Sequence, residues 1–386
     1  MEKKSILIFD AQQRSALAAT RSLGKRDDAI VYTTDSSSDS LAGSSKYSKE
    51  YLQSPDPVED TGEFILWLKN IIETKKIDFL LPVTEVSSRT LLENYQHFNT
   101  VKLPFADLET VLQLSDKNRL VELADSLDVP VPTSIVCGNA EEALKQPITF
   151  PCVLKPSLSK VLVDQRWVST QVHIVHTQTQ MEQALQHSYF RFPFMVQQYI
   201  DGQGAGIFCY YQKGEPKAYF AHKRIREKPP SGGVSVLSES VEVHPIMKEH
   251  ATRLLDSVKW HGVAMVEFKV DDQGTPYLME INTRLWGSLQ LAIDAGVNFP
   301  HLLLDGEYGV LAEQSHFKVG VQLRWLLGDL DNLYLNLKDR NQTLPAKIFH
   351  MFNFFTPKFV HRKHEINRLE DLGPFKYELK KYFSRS

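Results

Sequence analysis

Ala264-Met265-Val266-Glu267-Phe268-Lys269-Val270, then Asp271-Asp272-Gln273-Gly274-Thr275-Pro276, then Tyr277-Leu278-Met279-Glu280-Ile281-Asn282, is the stretch that decides the fold. Two apolar-rich runs flank a turn centred on Gln273-Gly274, so the segment reads as a β-hairpin. Folding it symmetrically about that turn sets Glu267 opposite Glu280 and Met265 opposite Asn282. Side chains alternate across a strand, so Val266, Phe268, Val270, Tyr277, Met279 and Ile281 share one apolar face. Glu267, Glu280 and Asn282 share the other. Two carboxylates ~5 Å apart at an effective dielectric of ~20 repel by about 3 kcal/mol, and like charges across a strand pair are normally avoided. A divalent cation reverses the sign. Three hard oxygen ligands suit Mg²⁺, which keeps its other positions for water and phosphate. The alternative is a solvated polar face that Lys269 partly neutralises.

Upstream stand two lysines at the edges of expected elements. Ser115 can cap a helix with the stripe Leu120, Leu123, Ala124 and Leu127, which places Lys117 in its first turn. Residues 151–156 read as a short buried strand that carries Lys155 near its end. A lysine ammonium is a suitable point charge for phosphate oxygens, although a single lysine is ordinarily a solvated surface residue. Phe194-Met195-Val196-Gln197-Gln198-Tyr199-Ile200-Asp201-Gly202 runs from apolar to polar and ends in a turn. An extended backbone there could offer N–H and C=O groups to an adenine edge, with apolar neighbours sandwiching the ring. An ordinary edge strand is the alternative. In a strand, Arg224, Arg226 and Lys228 share a face that could clamp phosphate or a carboxylate, or simply be solvated.

The first hundred residues alternate strand and helix signals: strands at 6–9, 30–33 and 78–83, helices at 14–23 and 62–74, with Gly24 as a helix stop. That order predicts a parallel sheet with crossover helices. The first turn, Asp10-Ala11-Gln12-Gln13-Arg14, lacks GxGxxG, so no dinucleotide site is supported there. From residue 194 onward the pattern is antiparallel, with strands at 194–200, 206–211 and 216–226, a loop at 229–233, helices at 247–257 and around 290–295, and the hairpin between them. The fold class is therefore α/β followed by α+β, with boundaries expected near 110, 190 and 310.

The 386 residues are 42% hydrophobic and 24% charged, which fits two or three globular domains and excludes a disordered chain. Lys+Arg of 44 against Asp+Glu of 47 gives no global basic field for nucleic acid. Residues 357–386, with eight Lys/Arg against four Asp/Glu, form a basic tail and a candidate partner surface. Cys137, Cys152 and Cys209 are isolated and odd in number, which argues for a reducing cytoplasm. No signal peptide or membrane-spanning run is expected. There is no GxSxG elbow. The pairs His173/His176 and His361/His364 are poor zinc candidates. Residues 347–360 carry Ile348, Phe349, Met351, Phe352, Phe354 and Phe355; packing on the core is expected, with a membrane or partner surface as the alternative.

The order Lys117, Lys155, Gln197–Ile200, Glu267, Glu280-Ile281-Asn282 resembles the ATP-grasp superfamily, which includes biotin carboxylase, D-alanine–D-alanine ligase and the carbamoyl-phosphate synthases. Residues 279–288, the loop 223–234 and the stretch 320–325 resemble its carboxylate–amine ligase-like branch. The resemblance implies a Rossmann-like pre-ATP-grasp domain (1–110), two ATP-grasp subdomains (111–190 and 191–310) and a C-terminal extension (311–386). It implies that Lys117 and Lys155 contact the phosphates of ATP and that Gln197, Gln198, Tyr199, Ile200 and Asp201 form the adenine hinge. Glu267, Glu280 and Asn282 would hold Mg²⁺, with Mn²⁺ as an alternative. Arg284 would reach the substrate carboxylate or the phosphoryl group, assisted by Arg224. The implied activity is an ADP-forming carboxylate–amine ligase acting through an acyl phosphate. Kinase-like phosphoryl transfer and a non-catalytic nucleotide-binding protein are the alternatives. The implied partners are small carboxylate and amine substrates, with a homodimer admitted and no nucleic acid or membrane span. Two departures stand out: Ser157-Leu158-Ser159-Lys160-Val161 lacks the family's glycines after the second lysine, and Gly204 stands where several ligases place a ribose-binding glutamate. Asp201 or Gln203 could take that role.

Overall fold

The computed structural model describes residues 3–157, 160–163, 166–230, 232–310, 316–356 and 362–384. The N-terminal region alternates as the sequence pattern requires: β1 (Lys4–Ile8), α1 (Arg14–Leu23), β2 (Ala29–Asp35), β3 (Glu50–Gln53), α2 (Thr61–Lys75) and β4 (Phe79–Leu81). The strands form a parallel sheet in the order β3-β2-β1-β4. Apart from Arg14, every residue of α1 is buried. The helix lies between this sheet and the far end of the chain, and one core joins Ile6, Ile8 and Leu17 to Leu285, Leu289 and Leu303. Gly24 ends α1 with a right-handed φ of −71°. It is needed for space, because a Cβ there would meet the Tyr47 carbonyl oxygen at 2.6 Å.

Then come α3 (Glu85–Glu93), α4 (Leu108–Ser115) and α5 (Lys117–Ser126). Asp116, not Ser115, caps α5: its carboxylate accepts from the N–H groups of Asn118 and Arg119. Ser115 closes the preceding helix. Next are β5 (Ser134–Cys137), α6 (Ala140–Ala143), β6 (Cys152–Pro156), β7 (Lys160–Val163), β8 (Arg166–Ser169), β9 (His173–Val175), α7 (Gln178–Ala184) and β10 (Phe194–Gln198). A four-stranded antiparallel sheet has the order β5-β10-β6-β9, and β7 pairs with β8. β10 begins after the boundary expected at 190, yet it is a central strand of this sheet, so the middle region runs to residue 198.

The last sheet has seven strands in the order β15-β14-β11-β12-β13-β16-β17. Its members are β11 (Gln203–Gln212), β12 (Glu215–Lys228), β13 (Val234–Ser240), β14 (Gly262–Val270), β15 (Pro276–Asn282), β16 (Gln322–Arg324) and β17 (Arg362–His364). The helices are α8 (Pro245–Ser257), α9 (Leu289–Ala295), α10 (Phe299–Glu307), α11 (Leu326–Lys338), α12 (Leu344–Phe355) and α13 (Gly373–Phe383). Residues beyond 310 are therefore integral: β16 and β17 complete the sheet, and α13 returns to the N-terminal region. Tyr377 donates to the Gln12 side chain at 2.9 Å. Buried Arg21 donates to Asp371 at 2.8 Å and to the carbonyls of Glu365 and Ile366.

The basic tail spends much of its charge on the body: Arg368 pairs with Asp294 and Lys381 with Asp39. Packing of α12 also departs from expectation. None of its residues is buried, and its apolar side chains point mostly outward. His361 lies outside the described residues. His173 bonds the Tyr189 hydroxyl at 2.6 Å, and among the described residues no group of three His, Cys, Asp or Glu side chains could hold a metal on its own. No described helix is long and apolar enough to cross a membrane.

Candidate functional site

The hairpin of β14 and β15 turns at Gly274, whose φ of +82° is the left-handed conformation glycine favours. Its register is the expected one at the acidic end: Met265 pairs with Asn282, Val266 with Ile281 and Glu267 with Glu280. A bulge follows. Phe268 pairs with Leu278 and Lys269 with Tyr277, leaving Met279 as the extra residue. The apolar face is corrected accordingly: Leu278, buried with Phe268, replaces Tyr277 and Met279, which stay half-exposed. The bulge frees the Met279 carbonyl, which accepts a 2.7 Å hydrogen bond from Lys155 Nζ.

The two carboxylates are tied by one amide. Asn282 Nδ2 donates to Glu267 Oε1 at 3.1 Å and to Glu280 Oε1 at 2.9 Å. Its Oδ1 accepts from Arg284 at 3.2 Å. Arg224 binds Glu267 Oε2 at 2.9 Å and Glu227 at 3.1 Å. Burial and the facing Glu280 charge raise the Glu267 pKa. Burial acts on Glu280 too, yet Lys155, the Asn282 amide and Lys117 together hold its carboxyl below the usual range. The pair shares its ionisation unequally, with Glu280 as the charged member. Burial pushes Lys155 down to about 8, with Glu280 opposing and Lys117 adding to the shift. Lys117, Lys155, Arg224 and Arg284 therefore converge on the two acids. A cavity of about 210 Å³ opens there, with Lys117, Ser157, Glu280, Asn282 and Arg284 in its wall. Asn118 Nδ2 donates to Ser157 Oγ at 3.3 Å, tying the start of α5 to the end of β6.

Other expected residues fall elsewhere. Arg226 and Lys228 leave the acidic site because β12 is irregular on both sides of Arg226. Arg226 grips Asp329 with two 2.6 Å hydrogen bonds, and Lys228 pairs with Asp331. Gln197 is buried and donates to Ser134 Oγ at 3.0 Å, while the Gln198 N–H donates to the Thr133 carbonyl. Both belong to a strand paired on its two sides, which ends before Tyr199, Ile200 and Asp201. Gln197, Gln198 and Tyr199 line a second cavity of about 450 Å³, together with Ile135, Phe150 and Cys152. Lys269 does not neutralise the acids. Its ammonium donates to the Ile200 carbonyl at 2.8 Å and stands 4.7 Å over the Tyr199 ring. Gly204 pairs with Lys269 and would have open space around a side chain; Asp201 and Gln203 beside it are exposed. In the stretch after Lys155, Leu158 and Ser159 lie outside the described residues.

Sequence reasoning missed Arg14. Its guanidinium bonds Glu365 at 2.5 Å, lies 4.2 Å over the Trp325 ring and sits 3.2 Å from where a Gly287 Cβ would stand. It borders a chamber of about 950 Å³ that also touches Lys228, Trp325, Tyr377 and Glu378. Burial pushes Glu378 up to about 7. Its partners are far away in the chain, so no local pattern announces it.

This architecture, with two lysines and an acid pair among a parallel sheet, a four-stranded antiparallel sheet and a mixed seven-stranded one, is the ATP-grasp fold. Residues 191–328 match the family model described as ATP-grasp in the biosynthetic pathway with Ter operon. Among solved structures, N5-carboxyaminoimidazole synthetase from Staphylococcus aureus superposes with a TM-score of 0.65 at 14% identity, covering 88% of this chain and 89% of that one. L-amino acid ligase from Bacillus licheniformis gives 0.64 at 17% identity, covering 81% and 76%. The arginine-specific carbamoyl phosphate synthase large chain of Geobacillus stearothermophilus is 20% identical over 224 residues, 56% of this chain. The match spans only 20% of that relative's length.

Proposed function

We propose that the chain is an ATP- and Mg²⁺-dependent ligase that joins a carboxylate to an amine through an acyl phosphate. The observation that carries this reading is the Glu267–Glu280 pair, bridged by Asn282 and ringed by Lys117, Lys155, Arg224 and Arg284. Structural likeness to L-amino acid ligase and N5-carboxyaminoimidazole synthetase supports it. The donor chemistry fits a divalent cation: two facing carboxylates and an amide that can present oxygen once its N–H bonds to them are released. When bound there, Mg²⁺ would offset the negative charge of the phosphates and of the acid pair.

The reaction has two displacements. A substrate carboxylate oxygen bonds to the γ-phosphorus as the bond to the β-phosphate oxygen breaks, releasing ADP. The amine nitrogen then bonds to the acyl carbon as the acyl–oxygen bond breaks, releasing phosphate, and the nitrogen sheds a proton. Lys117 and Lys155 would hold phosphate oxygens, and Arg284 the carboxylate or the moving phosphoryl group. Positioning and charge neutralisation supply the catalysis, with no general base required of the glutamates. Arg224 orients Glu267. The hinge at Tyr199–Asp201 would take the base, with Lys269 steadying its backbone. The chamber beside Arg14 would receive the second substrate. Lys228 on its wall lies four residues from Arg224 along β12, or about 13 Å at ~3.3 Å per residue.

ADP release in the presence of Mg²⁺ and a carboxylate panel, with and without amines, tests the reading. ADP release at saturating carboxylate should rise when the amine is supplied. Phosphoryl transfer without amide formation would leave release independent of the amine. Nucleotide binding without turnover is a second reading, favoured by the absence of glycine from Ser157-Leu158-Ser159-Lys160-Val161; it would give no ADP under any condition. Glu280→Gln should lower turnover at least tenfold, or about 1.4 kcal/mol of barrier, with the thermal midpoint retained. Normal turnover in that variant would sink the metal assignment.

A further inference from the structure

α11 and α12 form a helical hairpin that buries several polar side chains and exposes an apolar face on α12. The side of α11 turned to the body carries Asp329, Asn332 and Asn336 beside Leu327 and Leu333, all buried. Asp329 is held by Arg226 and Arg324, and Asn336 bonds Asn332 and Gln342. In α12 the half-exposed side includes Ala346, Lys347, His350 and Asn353, and His350 bonds Gln342. The opposite side carries Leu344, Ile348, Phe349, Met351, Phe352 and Phe355, each between 44 and 71% exposed. A surface helix in a water-soluble body normally turns its apolar stripe inward. Here α12 turns polar side chains and Phe354 inward, with Phe349 bordering a small cavity beside Leu333 and Phe354, while Leu344, Ile348, Met351, Phe352 and Phe355 stay exposed.

We propose that the outer face of α12 is the contact surface for a second copy of this chain. Leu344, Ile348, Met351 and Phe355 follow the four-three-four spacing of a coiled-coil seam, with Phe352 beside it. No charge stands in that seam, so two copies meet across a two-fold axis without like-charge repulsion, as a self-complementary interface requires. Taking about 200 Å² for a fully exposed large apolar side chain, the six residues offer roughly 750 Å² per copy. A standard interface buries ~800 Å² per partner.

The chain's own described remainder is engaged elsewhere: β17 completes the sheet and α13 lies on the N-terminal region. A lipid surface fits less well. Helices that lie on membranes present a Lys/Arg-rich polar face to water, whereas the polar side of α12 carries Lys347 and His350 and faces α11.

Sedimentation of the full chain from nanomolar to high micromolar concentration tests this, beside the double variant Ile348→Glu/Phe352→Glu. The expected result is a concentration-dependent dimer for the natural sequence and a monomer for the variant, with an unchanged thermal midpoint. Met351→Cys, in an otherwise natural chain whose three cysteines are buried, should form a disulfide-linked dimer under mild oxidation. A monomer at every concentration overturns the proposal, as does a dimer that survives the double substitution. So does a monomer that sediments with phosphatidylcholine–phosphatidylserine vesicles.

Discussion

Two hairpins of this molecule break the usual partition of polar and apolar residues, in opposite ways. The β14–β15 hairpin turns Glu280 and Asn282 toward a cavity, with Glu267 bonded to Asn282 beside them, while its other face is sealed in the core. The α11–α12 hairpin buries aspartate and asparagines and leaves leucine and phenylalanines outside. In the first, the buried charge faces cations that one ligand set would recruit. In the second, buried Asp329 is fully paired by two arginines, so its charge is structural and the unmet demand lies on the apolar exterior. The pattern breaks differently in the two: charges of both signs gather beside a cavity in one, and an apolar exterior overlies a paired polar network in the other.

The largest effect should come from Asp329. Asp329→Ala leaves Arg226 and Arg324 buried against nothing and should cost about 3–5 kcal/mol in urea unfolding; a loss under 1 kcal/mol would mean the inner network of the α11–α12 hairpin is dispensable. Next, the two apolar faces should differ sharply. Phe268→Ala, in the core, should cost about 3–5 kcal/mol. Phe352→Ala, made in the Ile348→Glu background and measured at a concentration where that variant sediments as a monomer, should stay within about 0.5 kcal/mol. Equal costs would erase the contrast between the faces.

A smaller effect concerns Glu378, whose carboxyl accepts from Trp325 Nε1 at 2.5 Å just before α11. Its pKa rises from 4.5 to about 7, chiefly through burial. The folded state holds the proton more tightly than the unfolded chain. Its contribution to stability is therefore complete below pH ~4.5 and is lost as the pH climbs through 7, by at most about 3 kcal/mol. The unfolding free energy of Glu378→Gln, compared with that of the natural chain, should lack this decline. Parallel pH curves for the two would remove Glu378 from the account of how α11 is anchored.

Much of the first hairpin was legible in the sequence. Alternation and the Gln273-Gly274 turn were enough to set Glu267 against Glu280, since a one-residue slip would send the apolar face to solvent. The bulge at Met279 was not legible, because Leu278 and Met279 are equally apolar, and with it went the Lys155–carbonyl bond. The parallel N-terminal sheet followed from its alternating elements. The sheet to which β10 belongs did not, since strand pairing depends on β5 and β6, each tens of residues away. For α12, the apolar residues of 347–360 stood out in the sequence and suggested packing on the core, but their composition carried nothing about which side finds a partner. Arg226 and Lys228 were misplaced by irregularities in β12 that redirect side chains without a turn residue to announce them.

The central claim is that the Glu267–Glu280 hairpin serves acyl-phosphate formation. Hydroxylamine added to the chain with ATP, Mg²⁺ and a panel of carboxylates tests it most directly. A hydroxamate should form with at least one acid, together with ADP, and be lost in Glu280→Gln. ADP release that continues with an acid while no hydroxamate forms would contradict that claim.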